Sequence, residues 1–168
     1  SCPNVVGLTA LQDITFLGEI VDKLLDLRMY YDTYKPILLK VSPDLAHQQL
    51  DEIIDYCLRS GIDGIVAGNT TRSREGITSI SKEKIEAIGN GGMSGAPLHK
   101  KNLELVKYVH TRSEGKLPII GVGGIMTPEQ AKAMLDAGAS LVEIYTGFVY
   151  EGPALIKNII KYLETAGK

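Results

Sequence analysis

The residues of this sequence that could carry chemistry stand at the ends of four short apolar segments. Lys40 closes the first segment, and Asn69 and Thr70 follow the second. Gly123-Gly124 follows the third, and Tyr145-Thr146-Gly147 closes the fourth. Ligands of β/α barrels and of open parallel sheets bind at the carboxyl ends of the strands. Together the four endings predict one shared binding pocket, although Lys40 taken alone is as readily a lysine that reaches solvent.

A glycine-rich turn, Gly121-Val122-Gly123-Gly124-Ile125, precedes a predicted helix that begins near Thr127. Backbone N–H groups exposed in such a turn bind phosphate, as they do after the last two strands of many β/α barrels. A dinucleotide-binding turn is the competitor, but the spacing is not G-x-G-x-x-G and the strand predicted at 140–146 does not end in an acidic residue. A plain tight turn needs one glycine rather than three. We therefore favour phosphate binding.

The cysteines and histidines form no recognisable metal-binding pattern. Cys2 stands before the first predicted helix and, by position alone, is an ordinary cysteine near a chain end. Cys57 lies on the apolar stripe of a predicted helix, which indicates a core position. The histidines share no ligand spacing, and we expect each to lie on the solvated surface. They are His47, His99 and His110.

The composition is that of a folded globular protein with one domain. The chain has 168 residues, of which 44% are hydrophobic and 23% charged, and 18 Lys and Arg against 20 Asp and Glu give a net charge of −2. Disordered proteins are less apolar, and nucleic-acid-binding domains are usually strongly basic. No uncharged apolar run approaches the roughly 18 residues of a membrane-spanning helix. Two cysteines make no disulfide framework, which favours a reducing compartment.

Short apolar runs alternate with amphipathic helices along the whole chain. The predicted strands are residues 36–41, 62–68, 117–122 and 140–146. The predicted helices lie within 12–31 and at 46–60, 81–88, 98–113, 128–137 and 153–164. Such alternation predicts an α/β fold with a parallel sheet and helical crossovers. The glycine-rich loop at 89–95 is typical of a place where the backbone must approach something closely.

Six motifs, in this order along the chain, carry a resemblance to a known family. The motifs are Ser1-Cys2-Pro3-Asn4, Lys40-Val41-Ser42-Pro43-Asp44-Leu45, Asn69-Thr70-Thr71, Gly91-Gly92-Met93-Ser94-Gly95, Gly121-Val122-Gly123-Gly124-Ile125 and Tyr145-Thr146-Gly147-Phe148. Together they closely resemble dihydroorotate dehydrogenase, the FMN enzyme of pyrimidine biosynthesis. Three segments look like the membrane-associated, quinone-reducing class: residues 7–12, Pro43-Asp44-Leu45 and Tyr145-Thr146-Gly147-Phe148. Cys2-Pro3-Asn4-Val5 instead follows the soluble class.

The resemblance implies a TIM-type (β/α)8 barrel. Such a barrel needs about 250 residues, so we expect residues 1–168 to form one domain that is the C-terminal half-barrel, with about four βα units. The chain opens with Ser1 rather than Met, and we expect a processed or truncated piece. The isolated fragment is then expected to be inactive and to self-associate through its exposed barrel edges. The parent enzyme is expected to be cytoplasmic, peripheral on the cytoplasmic face of the inner membrane.

The resemblance also implies a reaction and a role for each matching residue. Dihydroorotate is oxidised to orotate: a base removes a proton from C5, a hydride passes from C6 to the flavin, and quinone is the electron acceptor. Cys2 matches the catalytic base. Asn4, Asn69 and Thr70 match residues that bind the pyrimidine ring and its carboxylate. The FMN-binding positions are matched by Lys40, Gly68, Gly95, Gly124, Tyr145 and Thr146.

Two alternatives stay open from the sequence. One is another phosphate-binding barrel enzyme, such as a Schiff-base aldolase that uses Lys40 as its nucleophile. Trapping with borohydride and a carbonyl substrate distinguishes it, because a flavin enzyme forms no covalent adduct at Lys40. The other is a non-catalytic fragment.

Overall fold

The computed structural model describes residues 7–166, in which four parallel strands alternate with helices. The strands are β1 (Leu38–Val41), β2 (Gly64–Ala67), β3 (Ile119–Val122) and β4 (Leu141–Glu143). The helices are α1 (Ile14–Arg28), α2 (His47–Ser60), α3 (Lys82–Ile88), α4 (His99–Arg112), α5 (Pro128–Asp136), α6 (Thr146–Glu151) and α7 (Pro153–Ala166). Short 3₁₀ turns occupy Leu8–Gln12 and Ala96–Leu98.

The sheet follows the order of the chain. Its strands are hydrogen-bonded in the order β1-β2-β3-β4, and all three pairings are parallel. A doubly wound dinucleotide-binding sheet reverses its strand order at a switch point, whereas a β/α barrel adds each strand beside the last. The sequential order is therefore that of a barrel segment. Because the strands are parallel, their carboxyl ends lie along one edge of the sheet.

The core lies between the central strands and the helices that cover them. Every residue of β2 is buried, as expected for a parallel strand between two packed layers. Helix α2 contributes Ile53 and Ile54, and α4 contributes Val106 and Val109. Cys57 is buried on the same face of α2 as Ile53 and Ile54, which confirms its predicted core position.

Local signals in the sequence set the ends of several helices. Helix α2 ends at Gly61, whose φ of 78° is the left-handed conformation that favours glycine. Helix α5 begins after Thr127, whose side chain accepts a hydrogen bond from the backbone of Gln130. The Gln130 side chain accepts a hydrogen bond from the Thr127 N–H in return, completing a capping box. The predicted start of this helix is confirmed.

The last strand is shorter than the sequence predicts. The expected strand reached Thr146, but β4 ends at Glu143 and the short helix α6 begins at Thr146. The chain leaves the extended conformation at Tyr145, whose backbone carbonyl then accepts a hydrogen bond from Phe148. A helix of six residues has too few turns to produce a recognisable apolar period, which is why α6 was not predicted.

The two outer strands leave apolar surface uncovered. At the β4 edge Leu141 is 62% exposed, and α7 presents Ile156 and Ile160. Helix α1, which packs against α2, also exposes a stripe that includes Phe16 and Leu27. Within residues 7–166, no helix combines the length and the apolar content that crossing a bilayer requires.

Ile54→Ala should lower the free energy of unfolding by about 2–5 kcal/mol, because it opens a cavity in the core. Ile54 is 0% exposed, whereas Ile160 is 54% exposed and is the matched control. Ile160→Ala should cost less than about 1 kcal/mol. Urea unfolding followed by circular dichroism measures both values. Equal losses for the two variants would place the core elsewhere.

Candidate functional site at the carboxyl ends of the strands

A pocket of about 530 Å³ lies at the carboxyl edge of the sheet. All four strands contribute to its lining, through the residues that end or follow each of them. Seven of the ten residues predicted for the site line it: Lys40, Asn69, Thr70, Gly95, Gly124, Tyr145 and Thr146. The predicted convergence of the strand ends is thus present in the structure. Cys2 and Asn4 lie outside the described residues.

Gly68, the remaining predicted site residue, is not among the residues that line the pocket, but its carbonyl binds the pocket lysine Lys40. The Lys40 ammonium group donates a hydrogen bond to the Gly68 carbonyl, with Nζ and O 2.9 Å apart. Burial around this ammonium group lowers the pKa of Lys40, while the negative charge of Glu143 acts to raise it. A cation with one backbone acceptor and a carboxylate near it is suited to stabilising negative charge on a bound ligand.

Asn69 and Thr70 reach the pocket from the end of β2. The Thr70 N–H donates to the Asn69 side-chain oxygen across 2.8 Å, so the asparagine amide is held against its own backbone. An asparagine amide offers both a donor and an acceptor, and the threonine hydroxyl can serve as either. This pair can therefore recognise a ligand edge that carries carbonyl and N–H groups side by side.

The glycine turn after β3 brings bare backbone to the pocket. Gly123 and Gly124 have φ values of 108° and 74°, a region that side chains rarely adopt. A Cβ atom on Gly124 would also lie 2.3 Å from the backbone nitrogen of His99. Only glycine fits there, and the turn packs directly against the start of α4. This close approach is consistent with a backbone surface that cradles an anion.

His99 is not on the solvated surface, as the sequence had suggested. It is half-buried, and its Nδ1 is buried without a hydrogen-bond partner among the described residues. Burial lowers the pKa of this imidazole. His99 is half-buried because its backbone packs against Gly124, where a side chain would leave no room.

Gly95 enters the pocket from the glycine-rich loop. Its φ is 86°, and its carbonyl accepts a hydrogen bond from Leu98 that starts the turn leading into α4. The loop is anchored to the end of β2, because Thr71 and Met93 exchange two backbone hydrogen bonds of 3.1 and 2.8 Å. Arg74 adds a second anchor by donating to the carbonyl of Gly89 across 3.1 Å. Gly95 lies beside Thr146 in the pocket, because a Cβ atom on Gly95 would be 3.3 Å from the Thr146 methyl group.

An acidic residue does end the strand that follows the glycine turn. The last strand was predicted to end at Thr146, but β4 ends at Glu143, and Glu143 lines the pocket. The residue type at the end of β4 therefore does not exclude a dinucleotide-binding turn. The sequential strand order does exclude it, since a doubly wound sheet reverses its order at the binding site.

Sequence reasoning missed the apolar walls of the pocket and one buried polar residue behind it. The apolar lining residues that were not predicted are Leu98, Val122, Ile125 and Ile144, and the polar ones are Ser94 and Glu143. Asn102 on α4 is the buried polar residue, and it shares its helix face with Leu105, Val106 and Val109. A polar residue at a core position of an amphipathic helix was the signal that could have identified Asn102.

Asp44, in the loop after β1, ties that loop to the one after β2. Its carboxylate accepts hydrogen bonds from the Thr71 hydroxyl at 2.6 Å and the Arg72 N–H at 2.8 Å, and it forms an ion pair with Lys101. Burial acts to raise the pKa of Asp44, but the donors from Lys101, Thr71 and Arg72 outweigh it and hold the pKa below the ordinary value of 3.8. The loops that carry the pocket residues are thus cross-linked.

Over residues 1–166, the chain matches the sequence family described as dihydroorotate dehydrogenase. The chain belongs to this family. The resemblance carried by the six motifs is confirmed, and the four parallel strands with their helices are consistent with part of an α/β barrel.

Two curated relatives are named dihydroorotate dehydrogenase (quinone). One, from Christiangramia forsetii, is 46% identical over 159 residues, which cover 95% of this chain and 45% of the relative. The other, from Salinispora arenicola, is 44% identical over 157 residues, which cover 94% of this chain and 44% of the relative. The chain thus spans about half the length of the curated relatives it matches.

The backbone is also similar to solved dihydroorotate dehydrogenase structures. A ligand-free DHODH from Eimeria tenella superposes with a TM-score of 0.88 at 30% identity, covering 97% of this chain and 48% of that one. This similarity confirms the predicted fold, a segment of an α/β barrel with four βα units.

Asp44→Asn should destabilise the protein at neutral pH and much less in acid. The pKa of Asp44 is lower in the folded protein than its ordinary 3.8, so the unfolded chain takes up the proton first. The stabilisation is complete above about pH 4 and is lost as the pH falls through the folded pKa. The difference in free energy of unfolding between the unmutated protein and Asp44→Asn should therefore shrink between about pH 6 and pH 2.5.

Glu114→Gln is the matched control for that measurement, because Glu114 forms its ion pair with Lys116 on an exposed turn. Its difference from the unmutated protein should be small at every pH, as exposed pairs contribute little. A stability difference for Asp44→Asn that stays constant across the acid range would show that the charge of Asp44 does not tie the loops together.

Proposed function

We propose that this chain provides the flavin and substrate pocket of an oxidoreductase that converts dihydroorotate to orotate with FMN and passes the electrons to quinone. The observation that carries the proposal is the meeting of Lys40, Asn69–Thr70 and the Gly123–Gly124 turn in one pocket. Family membership and the relatives named for quinone support the substrate and the acceptor.

The residues of the pocket fit FMN. Apolar side chains that include Leu98, Val122 and Ile144 supply a wall suited to a flat ring system. The glycine backbones and Thr146 supply uncharged donors suited to a phosphate. Lys40 is a lining residue with a positive charge, which suits the ring of a flavin that gains negative charge on reduction. FMN, when bound, supplies the acceptor for the hydride that leaves C6 of the substrate.

The chain's own residues would hold the substrate and move its proton. Asn69 and Thr70 would bind the pyrimidine edge and carboxylate, with Asn4 as a third contact. The Cys2 thiolate would accept the proton that leaves C5 of dihydroorotate. A thiol performs this step near neutral pH if its pKa is lowered and its loop is held close to the substrate. Gly68 would act indirectly, by holding the Lys40 ammonium group with its carbonyl.

Lys40→Met tests the proposal in a full-length enzyme that contains this segment. Removing the cation should slow the reduction of bound flavin by dihydroorotate by about a hundredfold, the usual loss for one preorganised electrostatic contact. Stopped-flow absorbance in the flavin band measures this rate directly.

Lys107→Met is the control, because Lys107 is exposed on α4 and does not line the pocket. Its rate should stay within about twofold of the unmutated enzyme, as for most surface substitutions. An unchanged rate in Lys40→Met would contradict the proposed role. A covalent adduct at Lys40 after borohydride treatment with a carbonyl compound would instead identify the aldolase alternative.

We further infer that residues 1–168 form one domain, the C-terminal part of the barrel, and that catalysis needs the rest of it. Among residues 7–166, the outer strands β1 and β4 each pair with one neighbouring strand, and they carry the exposed apolar side chains Leu38 and Leu141. We place the whole enzyme in the cytoplasm, peripheral on the inner membrane, where it would meet quinone.

A polypeptide limited to these 168 residues should not bleach flavin when dihydroorotate is added, because it matches only 44–45% of the length of these relatives. It should also form dimers or larger species, since an unpaired strand edge offers its N–H and C=O groups to other chains. Absorbance spectroscopy and sedimentation velocity make the two measurements. Yellow, bleachable protein would overturn the first expectation, and a monodisperse monomer the second.

A further inference from the structure

Asn102 lies where the carboxyl ends of β2 and β3 come together. It is 0% exposed, and its side-chain Nδ2 lies 2.8 Å from the Val122 carbonyl oxygen and 3.4 Å from that of Asn69. One amide group thus donates to the last residue of β3, Val122, and to the second residue after β2, Asn69. The reverse orientation of the amide would place its oxygen against two carbonyl oxygens, so the donor assignment follows from the partners.

Two glycines lie so close to the Asn102 amide that no side chain would fit at their positions. A Cβ atom on Gly123 would lie 2.0 Å from Asn102 Nδ2. A Cβ atom on Gly68 would lie 2.0 Å from the Val122 carbonyl oxygen and 3.0 Å from Asn102 Nδ2. Both strand ends therefore close tightly on the side chain, and the asparagine sets the spacing between them.

The stability of the core does not explain an asparagine at this position. Its neighbours on the buried face of α4 are Leu105, Val106 and Val109. Its Oδ1 is buried and accepts no hydrogen bond from the described residues. A buried acceptor without a donor destabilises a fold, whereas an apolar side chain would not. What the residue contributes is the pair of hydrogen bonds from its Nδ2.

We propose that Asn102 is a positioning residue that fixes the two halves of the pocket relative to each other. One half is Asn69, and the other is the Gly123–Gly124 turn; both line the pocket, whereas Asn102 does not. The assignment of the substrate to the Asn69 half and of the flavin phosphate to the glycine-turn half rests on the proposed function. Holding both in place before binding lowers the cost of ordering them when the ligands arrive.

Hydrogen–deuterium exchange in the ligand-free protein tests this role without any ligand. Asn102→Ala should speed amide exchange in both segments, 69–71 and 123–125, by on the order of tenfold, because the hydrogen bonds that join them are gone. Val109→Ala is the matched control, since Val109 is also 0% exposed and lies two turns further along α4. It should leave both segments unchanged. Faster exchange confined to α4, or to one segment, would overturn the proposal.

Ligand binding in a full-length enzyme that contains this segment gives the second readout. Titration calorimetry with orotate, and flavin fluorescence with FMN, should each show affinity about fivefold weaker in Asn102→Ala and unchanged in Val109→Ala. Loss of affinity for one ligand alone would contradict a joint positioning role. If the unmutated enzyme binds neither ligand, the proposed function is wrong, and the exchange comparison alone decides the role of Asn102.

A measurement on the unmutated protein covers the case in which Asn102→Ala does not fold. The side-chain amide protons of Asn102 should exchange slowly in nuclear magnetic resonance spectra, at rates close to those of the backbone amides of β3, because Nδ2 is buried and bonded to two carbonyls. Exchange as fast as that of an exposed asparagine would show that the two bonds are not held, and would overturn the proposal.

Discussion

Parallel pairing of neighbouring strands, in the order in which they occur in the chain, is the constraint on which the rest of this structure depends. It places every strand end on one edge of the sheet, so that residues more than a hundred positions apart, such as Lys40 and Thr146, line one pocket. The pairing is held by burial. Each residue of β2 is enclosed, and α2 and α4 pack over the sheet with apolar faces. The polar groups of the pocket therefore come together because the sheet is buried at its central strand while the carboxyl ends of its strands line an open pocket.

Much of this architecture could be predicted because local signals and apolar periods agree. Gly61 ends α2, Thr127 caps α5, and the buried strands are short apolar runs next to glycine or proline. The strand ends were predicted as a site for the same reason: a lysine, an asparagine and paired glycines are unexpected after apolar runs. Lys40, Asn69 and Gly124 do meet, as that argument requires.

What could not be predicted depends on contacts between distant segments. The end of β4 is set by pairing with β3, in which Val122 lies opposite Glu143, and the local sequence carries no signal for that register. His99 is part of no metal-ligand spacing and was therefore predicted to lie on the surface. In the fold it packs against the turn at Gly124, which has no side chain to prevent that contact. The hydrogen bonds and the ion pair of Asp44 connect it to residues 27 or more positions away along the chain. Each of these features needs the tertiary fold before it can be seen.

The contacts made by Asp44 and by Asn102, which connect the segments that carry the pocket residues, differ in their chemistry. Asp44 joins loops through a charged group that is partly open to solvent, so its contribution depends on pH and salt. Asn102 joins strand ends through a neutral, buried amide that neither pH nor salt affects. The contact between β2 and β3 should therefore stay constant with pH and salt, whereas the contact between the loops after β1 and β2 should weaken in acid.

The most direct test of the central claim is a crystal structure of a full-length enzyme that contains this segment, grown with FMN and orotate. The account predicts that the flavin phosphate accepts hydrogen bonds from backbone N–H groups of Gly95, Gly124 or Thr146. It also predicts that orotate lies against Asn69 and Thr70. A flavin bound at another face of the sheet, with the carboxyl-edge pocket filled only by solvent, would contradict it.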